Sequence, residues 1–553
     1  MRKFLVAVLT CLAISSVVNA QSFEWGATSK AGITVSSSGM ATDAAGNSTV
    51  IGSFFSAARF DTTYFSPQAR DIFVVHYSPA GKQEWVRRFG STADDFGNAV
   101  ATDPKGNIYI AGAFTYKMAM DKDTLNFGGD FDIYLAKLDP KGTVQWARSA
   151  GWHSSDFATA VAADKDGNCY IAGYFKDSAR FGSVKIAAFS PGLYTLFLAR
   201  YDKNGTCQWA KALGGSNYQS QMEGLGLDVD PKGNVYLSGA LHGEARLDTM
   251  KYTCKGTTDM FVAKLSPAGK FDWIKTAGAP TGILVTKGVK WSQSSVYLTG
   301  HIVNITSFDG KTNVIARLGF PDAFVAKYSD NGEYQWVQQG MGRGMKSSEA
   351  IAADPKGNIY ITGNFADTLR FGETTLSNNG KQAFFAASFA PDGKVRWARE
   401  AGRVGTLLPH GIGVDKNGNS YYTGTYNDTA DFGKIRLISQ TNAQDMYVTK
   451  LTASSPWSVT KTASEAPVKT EITSMEYDKS KKKMLISFNV VGSRLAKIDL
   501  LSMLGPTIES FMEEELSTGS YKAELDLKSI AHDTYYFRIQ LGDVKQTKRL
   551  ELQ

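Results

Sequence analysis

Tryptophan recurs in this chain at a nearly constant interval, and that interval constrains the fold more than any other feature. Trp25, Trp85, Trp146, Trp209, Trp273, Trp336, Trp397 and Trp457 are separated by 60, 61, 63, 64, 63, 61 and 60 residues; Trp152 and Trp291 lie off the register. Self-similarity at a fixed period marks a repeat architecture, in which each unit buries its apolar face against the next. Three further signals keep the same phase. A turn of the form Asp-x-x-Gly-Asn starts at Asp43, Asp103, Asp164, Asp230, Asp354 and Asp415. A short strand ending in glycine follows, as in Ile108-Tyr109-Ile110-Ala111-Gly112, with Gly52, Gly173, Gly239, Gly300, Gly363 and Gly424 in the same place. An aromatic-rich strand comes next, as in Asp71-Ile72-Phe73-Val74-Val75-His76-Tyr77, echoed from Asp132, Asp259, Asp322 and Asp445. The unit before Gly300 has lost the aspartate turn and shows Trp291-Ser292-Gln293-Ser294-Ser295 instead.

Each piece has the physics of an antiparallel sheet. Asp-Pro-Lys-Gly-Asn supplies a turn, because proline presets φ and glycine accepts a positive one. The Val, Ile, Phe and Tyr runs on either side read as strands. Four strands per unit, repeated around an axis, predict an all-β chain: a seven-bladed β-propeller of four-stranded blades over 21–460. The tryptophan strand occurs once more than the other three signals. Ring closure accounts for the spare copy if Phe23-Glu24-Trp25 serves the last blade and Trp457 is a decayed copy. A linear β-solenoid is the alternative.

Composition agrees with a folded chain. Of 553 residues, 43% are hydrophobic and 12% aromatic, which a disordered segment would not reach. The formal charge of +7 comes with no basic tail or dense basic helix, so no nucleic-acid partner is implied. Residues 1–20 read as a signal peptide: Arg2 and Lys3, an apolar run, then Val18-Asn19-Ala20. The run is shorter than the ~20 residues of a spanning helix, and no transmembrane segment follows. The expected address is therefore exported, at the cell surface or secreted. Cys169, Cys207 and Cys254 are too few for a disulfide scaffold. Cys169 reads as a buried thiol, and a Cys207–Cys254 disulfide is left open.

After Trp457 the period stops. A linker is expected over 461–469 and a small Ig-like β-sandwich over 470–553, from alternating runs such as Met484–Val490, Leu495–Leu500 and Thr534–Ile539. The Lys479–Lys483 cluster reads as a solvated hairpin turn.

Two resemblances follow from these residues. Asp259-Met260-Phe261-Val262-Ala263-Lys264-Leu265, with Gly-x-x-x-Trp and Asp-x-x-Gly-Asn-x-Tyr-x-x-Gly, resembles the β-propeller repeat of bacterial cell-surface proteins over about 22–460. That likeness implies fold and surface location, with no uniform activity. The tail resembles a type A C-terminal sorting domain of the type IX secretion system. The matching residues are Asp499 to Gly505, Gly519-Ser520-Tyr521, Thr534-Tyr535-Tyr536 and Lys548-Arg549-Leu550. Ala531-His532-Asp533 departs from that family's usual glycine. This likeness implies a Bacteroidetes-like source, the secretion machinery as a partner, and removal of the tail with surface attachment or release.

No nucleophile elbow, HExxH zinc motif or dinucleotide fingerprint is present, so no cofactor, metal or catalytic residue is expected. Function is sought where the units differ. Counting five or eight residues back from each aspartate turn gives Asp95, Asn98, Asp156, Thr159, Glu349 and His410, expected to face a central channel and to bind ligand. The preferred expectation is a non-catalytic binding module for a glycan or protein. A secreted polysaccharide hydrolase or lyase using the acids, or a structural and adhesive envelope component, are the alternatives.

Overall fold

The computed structural model describes Val17–Val18 and residues 21–552, apart from 216–224, 248, 311–312, 317–318, 379–381, 403–404, 441–442, 454–456, 463–466, 504, 528–529 and 531–532. The expected leader lies outside the described residues except for Val17–Val18. Every regular element described is a strand. Two compact units result, one over Phe23–Leu451 and the other over 452–553 with 1–22.

In the first unit, seven sheets share one antiparallel four-strand order. The first is Val35–Thr42, Ser48–Phe54, Asp71–Tyr77 and Gln83–Phe89; the second is Phe96–Thr102, Ile108–Phe114, Asp132–Leu138 and Val144–Ala150; the third to sixth begin with Phe157–Ala163, Gly226–Val229, Ile283–Ser292 and Lys346–Ala353. The seventh takes Leu407–Val414, Ser420–Asn427 and Gln444–Leu451, and its fourth strand is Phe23–Ala31 from the other end of the unit. Each first strand touches those of the sheets before and after it, and the seventh returns to the first, so the unit closes on itself. The aspartate turn works as its residues imply. Asp103 Oδ1 accepts from the Lys105 and Asn107 amides, and Oδ2 from Asn107 Nδ2. Where that turn is lost, Ile283–Ser292 and Ser295–Val303 join through Gln293 and Ser294, both at positive φ, as a two-residue type I′ hairpin requires.

The tryptophans join neighbouring sheets. Trp25 Nε1 donates to the Pro79 carbonyl at 3.0 Å, in the turn between the third and fourth strands of the next sheet. Trp85, Trp146, Trp209, Trp273 and Trp336 make the same bond to Pro140, Lys203, Pro267, Asp330 and Pro391. Beside each acceptor a positive-φ glycine lies flat against the indole: Gly81 on Trp25, Gly142 on Trp85. A Cβ there would enter the ring.

In six of the seven sheets, among the described residues, a second glycine answers a different demand. The first strand carries a bulge, between Gly97 and Ala99 in the second sheet and between Ser348 and Ala350 in the sixth. The bulge turns a carbonyl toward the partner strand, so a Cβ on Gly112 would collide with the Phe96 carbonyl and one on Gly363 with that of Ser347. The length of the repeat has its own cause: a short hairpin between second and third strands. Ser178–Phe181 with Val184–Ala187 is one, burying Ala179 and Phe181 against the sheet.

The second unit holds two antiparallel sheets. One runs Trp457–Thr462, Gly519–Asp526, Lys483–Val490, Glu471–Asp478, with Val17–Val18 outside Trp457–Thr462; the other runs Thr507–Leu516, Arg494–Ser502, Thr534–Leu541, Val544–Glu551. Ile486, Phe488 and Leu525 of the first share a core with Ile498, Leu500 and Phe537 of the second. The first unit thus ends at Leu451, before the boundary drawn at 460. Trp457 belongs to a strand of the second unit, and 461–462, assigned to a linker, continue that strand. Among the described residues Cys169, Cys207 and Cys254 are free thiols, with Cys169 and Cys207 buried.

Replacing Gly112 by alanine forces the bulge apart, and a loss of about 3 kcal/mol is expected by denaturant unfolding. Alanine at Gly182, a hairpin turn with nothing within reach of its Cβ, removes less than half as much.

Candidate functional site

The six residues picked out by counting fall into two structural classes. Asn98, Thr159, Glu349 and His410, five before the turn, are the bulged residues of their first strands. Ser38 and Lys287 hold the same place in the first and fifth sheets, where sequence reasoning passed them over. Two of these bulge residues hydrogen-bond to the neighbouring first strand. Asn98 Nδ2 donates to the Ala158 carbonyl at 2.9 Å, and His410 Nδ1 to that of Ser37 at 2.6 Å. Lys287 Nζ lies 3.9 Å from Glu349 Oε2, an ion pair across two sheets. Burial lowers the His410 pKa, against the pull of the Ser37 carbonyl.

Asp95 and Asp156, eight before the turn, are fully buried. Asp156 accepts from the Trp152 amide at 2.9 Å and the Lys176 amide at 3.1 Å; Asp95 accepts from Ser91 and Thr115. Asp156 and Asp132 flank Gly151, where a Cβ would collide with both carboxylates. Burial pushes Asp95 up to about 6, Asp132 to about 6 and Asp156 to about 7, with the Asp132 charge adding to the last. The same junction in the sixth sheet holds Lys346, buried, 3.0 Å from Asp322. Leu407 and Val35 fill it in the seventh and first, so this position is a buried brace between sheets whose polarity varies.

Asp95 braces something open. Its contact with the Thr115 amide holds the rim of a pocket of about 530 Å³ among loops of the first two sheets, lined by Asp94, Thr115, Tyr116, Phe127, Asp130 and Phe131. Thr115 Oγ1 donates to the Asp94 carbonyl at 2.9 Å, and the Arg70 amide to Asp94 Oδ1 at 3.0 Å. Tyr116 and Phe127 are exposed, their ring centroids 5.2 Å apart. From Phe131 a file of half-buried rings continues through Phe157, Tyr174 and Tyr194, each 5.1 Å from the last. Sequence reasoning missed this pocket. Its signal was Tyr116, which stands before the short hairpin where other units carry Asp177, Asp367 or Asp428. No cluster of three or more metal-ligating side chains occurs among the described residues.

Residues 84–113 and 396–428 match the family described as beta-propeller repeat. Each match begins on the tryptophan strand of one sheet and ends on or just after the second strand of the next. The chain is 25% identical over 403 residues to the regulatory protein FlaEY of Caulobacter vibrioides, covering 68% of this chain and 41% of that one. It is 22% identical over 464 residues to an uncharacterized WD repeat-containing protein, L264, of Acanthamoeba polyphaga mimivirus, covering 69% and 33%. The chain spans less than half the length of either relative.

The buried acids set a pH dependence. Their folded pKa values lie above the unfolded carboxylate value of about 3.9, so their contribution to stability is complete below that value and is lost as pH rises through 6 to 7. Asp156→Asn removes one titrating group. Relative to the parent, the variant gains on the order of 2 kcal/mol between pH 5 and pH 8, read from urea unfolding at each pH.

Proposed function

We propose that the chain is an exported seven-bladed β-propeller that acts as a non-catalytic binding module for a glycan or protein. In this reading it reaches the cell surface or the medium through a C-terminal sorting sandwich recognised by the type IX secretion machinery. The observation that carries the binding role is the pocket beside Tyr116: a concave site with exposed rings and a few polar groups, held on rigid sheets. The closed cycle of seven like sheets supports the blade count, and the repeat match supports the architecture. The two-sheet unit after Leu451, where Arg538 pairs with the buried Asp499 carboxylate, supports the sandwich. Of the acids that a hydrolase reading would use, Asp95 and Asp156 are spent on backbone amides away from solvent, while Glu349, half-buried, accepts from Ser347 Oγ and pairs with Lys287. Loops presented by a scaffold of this kind bind by their differences from unit to unit, and Tyr116 is such a difference.

The test is retention of the full chain on arrays of glycans and of purified surface proteins, with new reducing ends scored in the same wells. Saturable retention without released product is expected. Released product turns the reading toward a polysaccharide hydrolase or lyase, and silence on every array toward a structural envelope role.

A further inference from the structure

Tyr116 has φ of +56°, in the left-handed region that costs an aromatic residue about 1 kcal/mol or more. The equivalent position before the short hairpin is also left-handed in five other units. There it is occupied by Asp177, Gly243, Asn304, Asp367 and Asp428, residue types suited to that conformation. The second sheet alone among these keeps a bulky ring there, and the ring is 54% exposed. The choice strains the backbone and leaves apolar surface in water. The ring stands at the mouth of the pocket, against Phe127, which is 43% exposed.

The surroundings define what would rest on it. Asp94 and Asp130 are the charged side chains that line the pocket, and Arg70 and Lys117 adjoin lining residues in the sequence. The Arg70 guanidinium lies 4.8 Å from the Phe96 ring centre. Aromatic faces, carboxylate acceptors in the lining and room for two sugar rings suit a polyhydroxylated ring: C–H groups meet the negative π face, and hydroxyls donate to carboxylates. The rings from Phe131 to Tyr194 extend the aromatic surface beyond one residue, as an oligomeric ligand needs. We propose that the Tyr116–Phe127 pocket is a subsite for uncharged hexose oligosaccharides, with Tyr116 as the stacking platform. The inference rests on the binding-module reading and assigns its ligand class and place.

The experiment titrates the full chain calorimetrically with uncharged tetrasaccharides of β-linked glucose, α-linked glucose, mannose and N-acetylglucosamine, and in parallel with tetramethylammonium and tetralysine. Saturable binding of at least one tetrasaccharide is expected. Tyr116→Asp, which restores the residue of three sister units, weakens it by about tenfold, the loss of one aromatic anchor, while the melting temperature holds or rises. Phe127→Ala weakens the same ligand. Saccharide affinity unchanged in Tyr116→Asp overturns the pocket but leaves the binding module standing. Tyr116-dependent binding of a cation in place of every saccharide overturns the ligand class. Silence toward every tetrasaccharide also overturns the proposal, whereas the wider module fails only if the glycan and protein arrays are silent or release product.

Discussion

The contact on which the rest of the structure depends is an indole laid on a glycine. Each sheet alone offers two apolar faces and two open edges, and only its neighbours can cover the faces. The tryptophan at the rim of one sheet spans that gap: its ring covers the turn of the next sheet, and its N–H satisfies a carbonyl there, as Trp25 does with Gly81 and Pro79. The bond ties each sheet to the turn between the third and fourth strands of the next. It also sets the sequence interval, since the chain must trace a full sheet before it can present the next indole. At the inner end the glycine opposite each bulge plays the corresponding part, letting a carbonyl approach where any side chain would block it. Between these two glycines the apolar strands are free to vary, and they do.

Much of this is legible in residues of one character. An indole at 60-residue spacing, an Asp-x-x-Gly-Asn turn and a strand-ending glycine each have a single backbone use, so their recurrence predicts the sheets. The short hairpins are harder to read, because Met118-Ala119-Met120 and Ala430-Asp431-Phe432 share little beyond alternation over three or four residues. Trp457 shows the opposite hazard. It keeps the interval, yet its strand pairs with Gly519–Asp526, a partner that spacing alone does not reveal.

The site was legible only in part. Counting from the turn finds the bulged residues Asn98, Thr159, Glu349 and His410, because position along a strand is a matter of number. Whether an acid at a given number meets solvent depends on what the adjacent sheet places opposite it. Asp95 and Asp156 are covered by neighbours that no local pattern specifies, and Lys346 takes the same niche by pairing with Asp322. Tyr116 escapes notice because one aromatic among many carries no message until its backbone conformation is known. Asp95 then gains a second meaning: its carboxylate holds Thr115, the residue before Tyr116, so the brace and the pocket are parts of one arrangement.

The seventh sheet is built from segments more than four hundred residues apart, with Phe23–Ala31 lying beside Gln444–Leu451. Phe23–Ala31 is made before the six intervening sheets and waits for Gln444–Leu451 until they are complete. Sheets one to six can assemble in order behind it, each templated by its predecessor, but the clasp is always last. Phe23–Ala31 therefore lacks its partner strand until Gln444–Leu451 is present. Closure of the unit is thus a single event: the meeting of Phe23–Ala31 with Gln444–Leu451.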